Sequence, residues 1–264
     1  MNKFLTRSIS GIVYAGLFIG ATLVNHHILF ILLFAFNIIG ISECRSFLDK
    51  KNNLTVSIIL SSTFFVISHL TFTNVISAKW QILYFILPFV YIVYSTFRKY
   101  NIVKEISADI FPIIYVTLPL ILLNQINISH SEEQFPFVLA VLVLIWSNDS
   151  LAYLAGISFG KHKLIEHISP KKTWEGFFGG VIGSLAVAHA ISYFNLNYNS
   201  IEWIALGLLI AVFSVIGDLF ESALKRQAGI KDSGKIIPGH GGLLDRIDSL
   251  IFVSPAIYIF LQFT

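Results

Sequence analysis

Charge is what this sequence has least of. Only 12% of its 264 residues are Asp, Glu, Lys or Arg, where an ordinary soluble domain carries about 25%. With 55% hydrophobic residues and a mean hydropathy of +0.76, that shortage excludes a soluble globular domain and implies an integral membrane protein. Cysteine is nearly absent, and the lone Cys44 excludes an internal disulfide framework. Internal repeats, low-complexity tracts and a polar appendage are also missing. The chain therefore reads as one integral-membrane domain over 1–264, with N-terminal helices in 1–125 and the polar, chemistry-bearing part in 136–264. Lys3 and Arg7 precede the first apolar run as they would in a signal peptide, but no small-x-small cleavage site follows, so the run is expected to remain as a span.

What the sequence has instead is long apolar runs. Stretches able to cross a bilayer, about 20 residues each, fall near 8–25, 27–47, 55–73, 80–97, 106–124, 136–157, 176–194, 202–224 and 243–263. They predict an all-α, polytopic fold of about nine transmembrane helices. With that count, all of the 18 lysines and arginines except Lys79 fall on the side of the N-terminus and the even-numbered connections. Positive residues mark the cytoplasmic side, so the N-terminus is expected in the cytoplasm and the C-terminus outside.

Polarity concentrates in two inner stretches, 158–175 and 221–246. Ionisable groups within hydrocarbon are costly and usually face a cavity or a partner. Glu43, Asp109, Asp149, Asp218, Glu221, Asp245 and Asp248 all lie toward the inner ends of their runs. Glu43 and Asp109 stand alone near the interface and are expected to cap a helix or pair with a lysine. Asp149, next to Asn148, is expected to face a site, with a buried lysine pair as the alternative.

Residues 229–236 read Gly-x4-Gly-Lys-Ile, one hydroxyl short of a nucleotide-binding P-loop. A working P-loop joins a strand to a helix and ends in Ser or Thr so that a hydroxyl reaches magnesium. Here a membrane helix precedes, Ile236 stands at the last position and Pro238 follows, so the match is accidental. The surrounding residues make another pattern. Asp218, Ser222 and Arg226 recur every four residues on one helical face, with Lys225 alongside. The glycines of 238–242, Gly241 and Gly242 included, suit close approach of backbone amides to an anion. Asp245 and Asp248 then share a face in the first turns of the last helix, whose N-terminal dipole favours phosphate or carboxylate. Carboxylates suit magnesium completed by substrate phosphate oxygens, and lysine and arginine suit the phosphates. Together these residues point to metal-assisted phosphoryl or nucleotidyl transfer on a lipid.

The run Ser222-x2-Lys225-Arg226-x4-Lys231-Asp232-x-Gly234-x3-Pro238-Gly239-His240-Gly241-Gly242-x2-Asp245-Arg246-x-Asp248 resembles the signature of the phosphatidate cytidylyltransferase, or CDP-diacylglycerol synthase, family. The stretches 169–176 and 148–161 are similar to that family's other recurrent segments, whereas the first five spans match only in hydropathy. The resemblance implies a nucleotidyltransferase that condenses CTP with phosphatidic acid to CDP-diacylglycerol and pyrophosphate, the first committed step of phospholipid synthesis. It implies dependence on magnesium, with manganese as the substitute ion, and a second cation suits an in-line displacement. The lipid phosphomonoester, with a second pKa of about 6, is largely dianionic already and needs no dedicated base. On this resemblance Asp218, Asp245 and Asp248 are expected to hold metal, with Ser222 donating to phosphate or ligating metal. Lys171, Lys172, Lys225, Arg226, Lys231, Asp232, His240 and Arg246 are expected to meet substrate, and His240 could shape the loop or protonate the departing pyrophosphate. Thr173 and Gly176 also carry the chemistry of a helix start. The expected setting is a bacterial cytoplasmic membrane with the site facing the cytoplasm, no nucleic-acid partner, and a homodimer as the default arrangement of a membrane enzyme.

Two rival classes remain open. An ion-coupled transporter would place charges near the midplane and repeat its pattern in both halves, whereas here they crowd at one face of the last 120 or so residues. An enzyme of the same chemistry acting on another lipid phosphate is not separable by these residues. A CDP-alcohol phosphotransferase would show Asp-Gly-x2-Ala-Arg, which does not occur.

Overall fold

The computed structural model describes residues 3–45, 54–71, 110–130, 136–194 and 197–264. The run expected at 80–97, Asp109, and the basic residues Lys50, Lys51, Lys79, Arg98, Lys99 and Lys104 lie outside the described residues. The described chain is mostly helical: α1 (Lys3–Val24), α2 (His26–Cys44), α3 (Leu54–Thr71), α4 (Leu118–Ser129), α5 (Phe137–Phe159), α6 (Trp174–Ile191), α7 (Ser200–Gln227) and α8 (Leu244–Phe260). Among the described residues, five segments, Leu5–Val24, His26–Cys44, Phe137–Phe159, Trp174–Ile191 and Ser200–Gln227, are long and apolar enough to cross a membrane.

Helix boundaries follow local chemistry. Asn25 opens α2 by accepting the Ile28 amide at 2.9 Å, and Asn199 with Glu202 forms a capping box on α7. The run expected at 106–124 reaches Ser129, entered through the turn Ile110–Pro112 and a π-helical stretch Ile113–Thr117. Pro119, lacking an N–H, sits just inside α4, where the preceding backbone widens to Leu118 N–H bonding to Ile113 O.

Apolar periodicity in α8 is absent because the helix lies at the centre of the bundle, with Phe252, Val253, Ser254 and Ile257 among its buried residues. It packs chiefly on α7 and α4. Gly217 lets α7 approach the backbone of Asp248, where a Cβ would overlap the Asp248 carbonyl. That contact sets Asp218 beside Asp248. A second close approach joins α5 to α6. Gly176, Gly179, Gly180 and Gly183 form small-x3-small pairs, and a Cβ on Gly179 would collide with that of Ala155. Gly179→Val is expected to cost about 1–3 kcal/mol by overpacking, read as an earlier unfolding transition in detergent.

One feature departs from the all-α expectation. The inner stretch after α5 contains an antiparallel hairpin, β1 (Lys163–Ile165) with β2 (Ser169–Thr173), in which Lys163 faces Thr173. Its base is tied by Trp174 N–H to His162 O at 2.9 Å. The Glu175 carboxylate accepts the amides of Lys161 at 3.1 Å and His162 at 3.2 Å. Thr173 then caps α6, its hydroxyl accepting the Gly176 amide at 3.1 Å. Short strands bearing lysines have no distinctive period, so the sequence does not announce them.

Candidate active site

The polar residues converge on one cavity of about 1100 Å³ at the ends of α5, α7 and α8. Asp149 comes from α5, Lys171 and Lys172 from β2, and Asp218 and Lys225 from α7. Lys231, Asp232, His240 and Gly241 come from the connection between α7 and α8, and Asp245, Arg246 and Asp248 from α8. Arg7 and Lys163 also line it.

The carboxylates divide into two groups. Asp149, Asp218 and Asp248 lie within electrostatic reach of one another and of Lys172, and the Lys172 ammonium pairs with Asp218 Oδ2 at 2.6 Å. The lysine partner weighed for Asp149 thus belongs to Asp218, while Asn148 donates to Asp149 at 3.3 Å. Asp245 belongs to the second group. Its Oδ1 accepts Lys225 Nζ at 2.5 Å, and its Oδ2 accepts the amides of Ser233 at 2.9 Å and Gly242 at 2.8 Å. Lys225 reaches Glu221 at 3.3 Å, and the Glu221 side chain is wholly buried. Asp245 therefore anchors the α7–α8 connection, with both oxygens engaged.

Other expected contacts resolve differently. Ser222 donates to Asp218 Oδ1 at 3.2 Å, behind the cavity. Arg226 bends to the Ile230 carbonyl at 3.4 Å and does not line the cavity. Four-residue spacing puts Arg226 on the face of Asp218, but it lies past the point where α7 is walled by other elements, so its long side chain serves the helix end.

Three amides of the glycine-rich connection turn to the protein itself rather than to the cavity. His240 and Gly241 N–H both bond to Ile237 O, at 3.0 and 3.2 Å. Gly242 N–H goes to Asp245, and Gly242 does not line the cavity. Gly241 has φ +94°, open to glycine at little cost, and a Cβ on Gly242 would strike Ser233 Oγ and Glu43 Oε2. These glycines fold the connection tightly on itself.

The N-terminus of α8 is occupied too. Leu243 provides no side-chain cap. Glu43, buried at 5% exposure on α2, accepts Leu243 N–H at 3.0 Å and Leu244 N–H at 2.9 Å. It also accepts Ser233 Oγ at 3.2 Å. The anion that the helix dipole attracts is thus the protein's own carboxylate, and Glu43 is a cap, as its isolation suggested, though of a distant helix. Glu43→Ala orphans buried donors, each worth about 1–3 kcal/mol. It is expected to destabilise the protein by about 3 kcal/mol and to lower kcat, with Glu43→Gln recovering part because one acceptor oxygen remains. Thermal unfolding and turnover of both variants check this.

His240 sits with its Nδ1 2.7 Å from Ser10 Oγ. That hydroxyl also lies 2.9 Å from the Pro238 carbonyl and 3.1 Å from the Arg7 carbonyl, so His240 closes a polar knot between α1 and the connection. Burial first, then Arg246 and Arg7, hold its pKa below the ordinary histidine value. So tied, the ring helps to shape the connection.

Sequence reasoning did not assign Arg7, Ser10 or Lys163 to the site. The signal for the first two was a polar stripe, Arg7, Ser10, Gly11 and Tyr14, at helical spacing in α1.

A profile of the cytidylyltransferase family matches residues 5–264. Among curated proteins, the chain is 48% identical over 132 residues to the phosphatidate cytidylyltransferase of Staphylococcus aureus (strain COL), covering 49% of this chain and 50% of that protein. It is 46% identical over 127 residues to the protein of that name from Staphylococcus haemolyticus (strain JCSC1435), covering 47% and 48% respectively. The match to the Staphylococcus epidermidis (strain ATCC 35984) protein is 44% over 131 residues, covering 49% and 50%. The chain thus aligns with about half the length of these relatives.

Proposed function

Because the chain belongs to the cytidylyltransferase family, we propose that it transfers the cytidylyl group of CTP to phosphatidate, giving CDP-diacylglycerol and pyrophosphate. The reading places the reaction at the cytoplasmic face of a bacterial inner membrane. The observation that carries it is the cavity, where carboxylates and cations meet at the ends of helices otherwise dressed for lipid.

The donor set fits magnesium. Among the described residues no cluster of three or more His, Cys, Asp or Glu side chains is arranged to hold an ion. Magnesium needs only one or two carboxylates, with waters and substrate phosphate oxygens filling its octahedron. Asp218 and Asp248 would hold it, with Asp149 in reach, and Asp245 supports them through the connection it anchors. When bound, the ion would neutralise charge between the attacking and departing oxygens.

The chain's own residues do the rest. Lys171, Lys172, Lys231 and Arg246 place positive charge around the cavity, opposing the charge on triphosphate and lipid phosphate. Lys172, paired with Asp218 in the free protein, is positioned to move to a phosphate once that carboxylate is neutralised. Lys225, itself paired with Glu221, holds Asp245, and Glu43 holds the start of α8, so the acids on α7 and α8 stay in register. The lipid phosphate, largely dianionic at neutral pH, attacks without a side-chain base.

Pyrophosphate release by purified protein in mixed micelles tests the reading. Release is expected only with CTP, phosphatidate and magnesium together. Equal release with lyso, ether-linked or prenyl phosphates would move the reading to another lipid phosphate, and release without any lipid would remove it.

A further inference from the structure

The first helix carries a polar stripe that neither hydropathy nor membrane anchoring requires. Leu5, Ile9, Ile12, Val13 and Leu17 of α1 are exposed, as lipid contact demands. On another face, Arg7, Ser10, Gly11 and Tyr14 follow one another at i, i+3, i+4 and i+7; the first three turn to the connection before α8 and Tyr14 to the first turn of α8. Arg7 Nε donates to the Gly239 carbonyl at 2.9 Å. Ser10 reaches the Pro238 carbonyl at 2.9 Å and His240 Nδ1 at 2.7 Å. The His240 ring packs over Gly11, and Tyr14 donates to the Arg246 carbonyl at 3.3 Å.

A positive charge placed only to orient the helix would point into the aqueous interface. Arg7 instead lines the cavity. Its guanidinium spends Nε on Gly239, which leaves a fork of two NH2 groups on a residue that lines the same cavity as Asp218, Lys171 and Arg246. Such a fork matches two oxygens of one phosphate, a match that a lysine cannot reproduce. Resting on the reading of this cavity as a phosphate-transfer site, we propose that Arg7 is a substrate-binding residue, gripping a phosphate with its terminal NH2 groups while Nε and Ser10 hold the Pro238–His240 turn in place. The first helix thereby becomes a wall of the site, so that phosphate binding also fastens α1 to the connection.

The phosphate could belong to the nucleotide or to the lipid. Purified full-length wild type, Arg7→Gln, Arg7→Lys and Ser10→Ala separate these sources by KM for CTP at saturating phosphatidate and by surface KM for phosphatidate at saturating CTP. Calorimetric binding of inorganic pyrophosphate gives a readout independent of turnover. Loss of a charge-assisted bidentate contact is expected to raise one of the two KM values about tenfold or more in Arg7→Gln. Arg7→Lys should recover part of this by charge alone, and Ser10→Ala, which loosens the turn but keeps the cation, should lower kcat with a smaller change in KM. A nucleotide phosphate shows as weaker pyrophosphate binding and raised KM for CTP. A lipid phosphate shows as a raised phosphatidate KM alone.

Arg7→Gln with both KM values and pyrophosphate affinity unchanged overturns the assignment, whatever happens to kcat. If wild type binds pyrophosphate but transfers no cytidylyl group, the functional reading fails, while the Arg7 assignment stands or falls on whether Arg7→Gln weakens that binding. Wild type that neither binds pyrophosphate nor turns over overturns both.

Discussion

Asp218→Asn and Asp248→Asn are each expected to lower turnover by roughly a thousandfold, the several kcal/mol that the proposed metal-holding role would contribute to a phosphoryl-type transition state, while leaving the protein folded. Both acids face the cavity, and each sees the other and Lys172. Asparagine keeps the size and one acceptor oxygen but removes the charge. In Asp218→Asn the Lys172 ammonium loses its partner at 2.6 Å and is free for phosphate, so CTP affinity without magnesium should rise even as turnover falls. Steady-state kinetics and nucleotide binding check the pair of effects. Variants within about tenfold of wild type would remove these residues from the metal site.

Lys225→Met gives the largest loss of stability, about 3–5 kcal/mol, the cost of breaking a buried ion pair from one side. The Lys225 side chain is 13% exposed and its partners Glu221 and Asp245 are 0% and 9% exposed. Removing the ammonium leaves two acids close together with nothing to balance them, and loosens the carboxylate that holds the Ser233 and Gly242 amides. The double variant Lys225→Met/Glu221→Gln should recover part of the loss, because one uncompensated charge goes with it. Thermal unfolding in detergent reads both. Equal stability of wild type and Lys225→Met would show that the lysine is a ligand for substrate and not a strut. Asp245→Asn should accordingly lose stability as well as turnover, unlike the Asp218 and Asp248 substitutions.

Much of this was legible before any coordinates. Long apolar runs declare helices because hydrocarbon leaves the backbone no other partner, and the inward crowding of acids and lysines located the cavity. The signature from Ser222 to Asp248 named Lys225, Lys231, Asp232, His240, Asp245, Arg246 and Asp248 in its lining. Illegible features share one physical origin: they depend on which partner a polar group finds across the fold. The stretch 239–242 read as a cradle for an anion, but the amides of His240, Gly241 and Gly242 turn to Ile237 and Asp245. The α8 N-terminus read as a phosphate seat, but Glu43, some 200 residues away in sequence, already fills it. Asp245 and Asp248 looked equivalent at three-residue spacing, yet only Asp245 meets Lys225. Arg226 shares a helical face with Asp218 but not its surroundings. Arg7 read as a topological charge, because nothing local says that α1 folds against the Pro238–His240 turn.

The central claim is that this cavity joins a nucleotide to a membrane lipid. Its most direct measurement follows label from α-phosphate-labelled CTP into organic-extractable lipid, using purified wild type and Asp248→Asn side by side with phosphatidate and magnesium. Lipid-phase label matched mole for mole by released pyrophosphate is expected in wild type, with a rate lowered roughly a thousandfold in Asp248→Asn. Label that stays in the aqueous phase with well-folded wild type, or enters lipid at the same rate in Asp248→Asn, would contradict that claim.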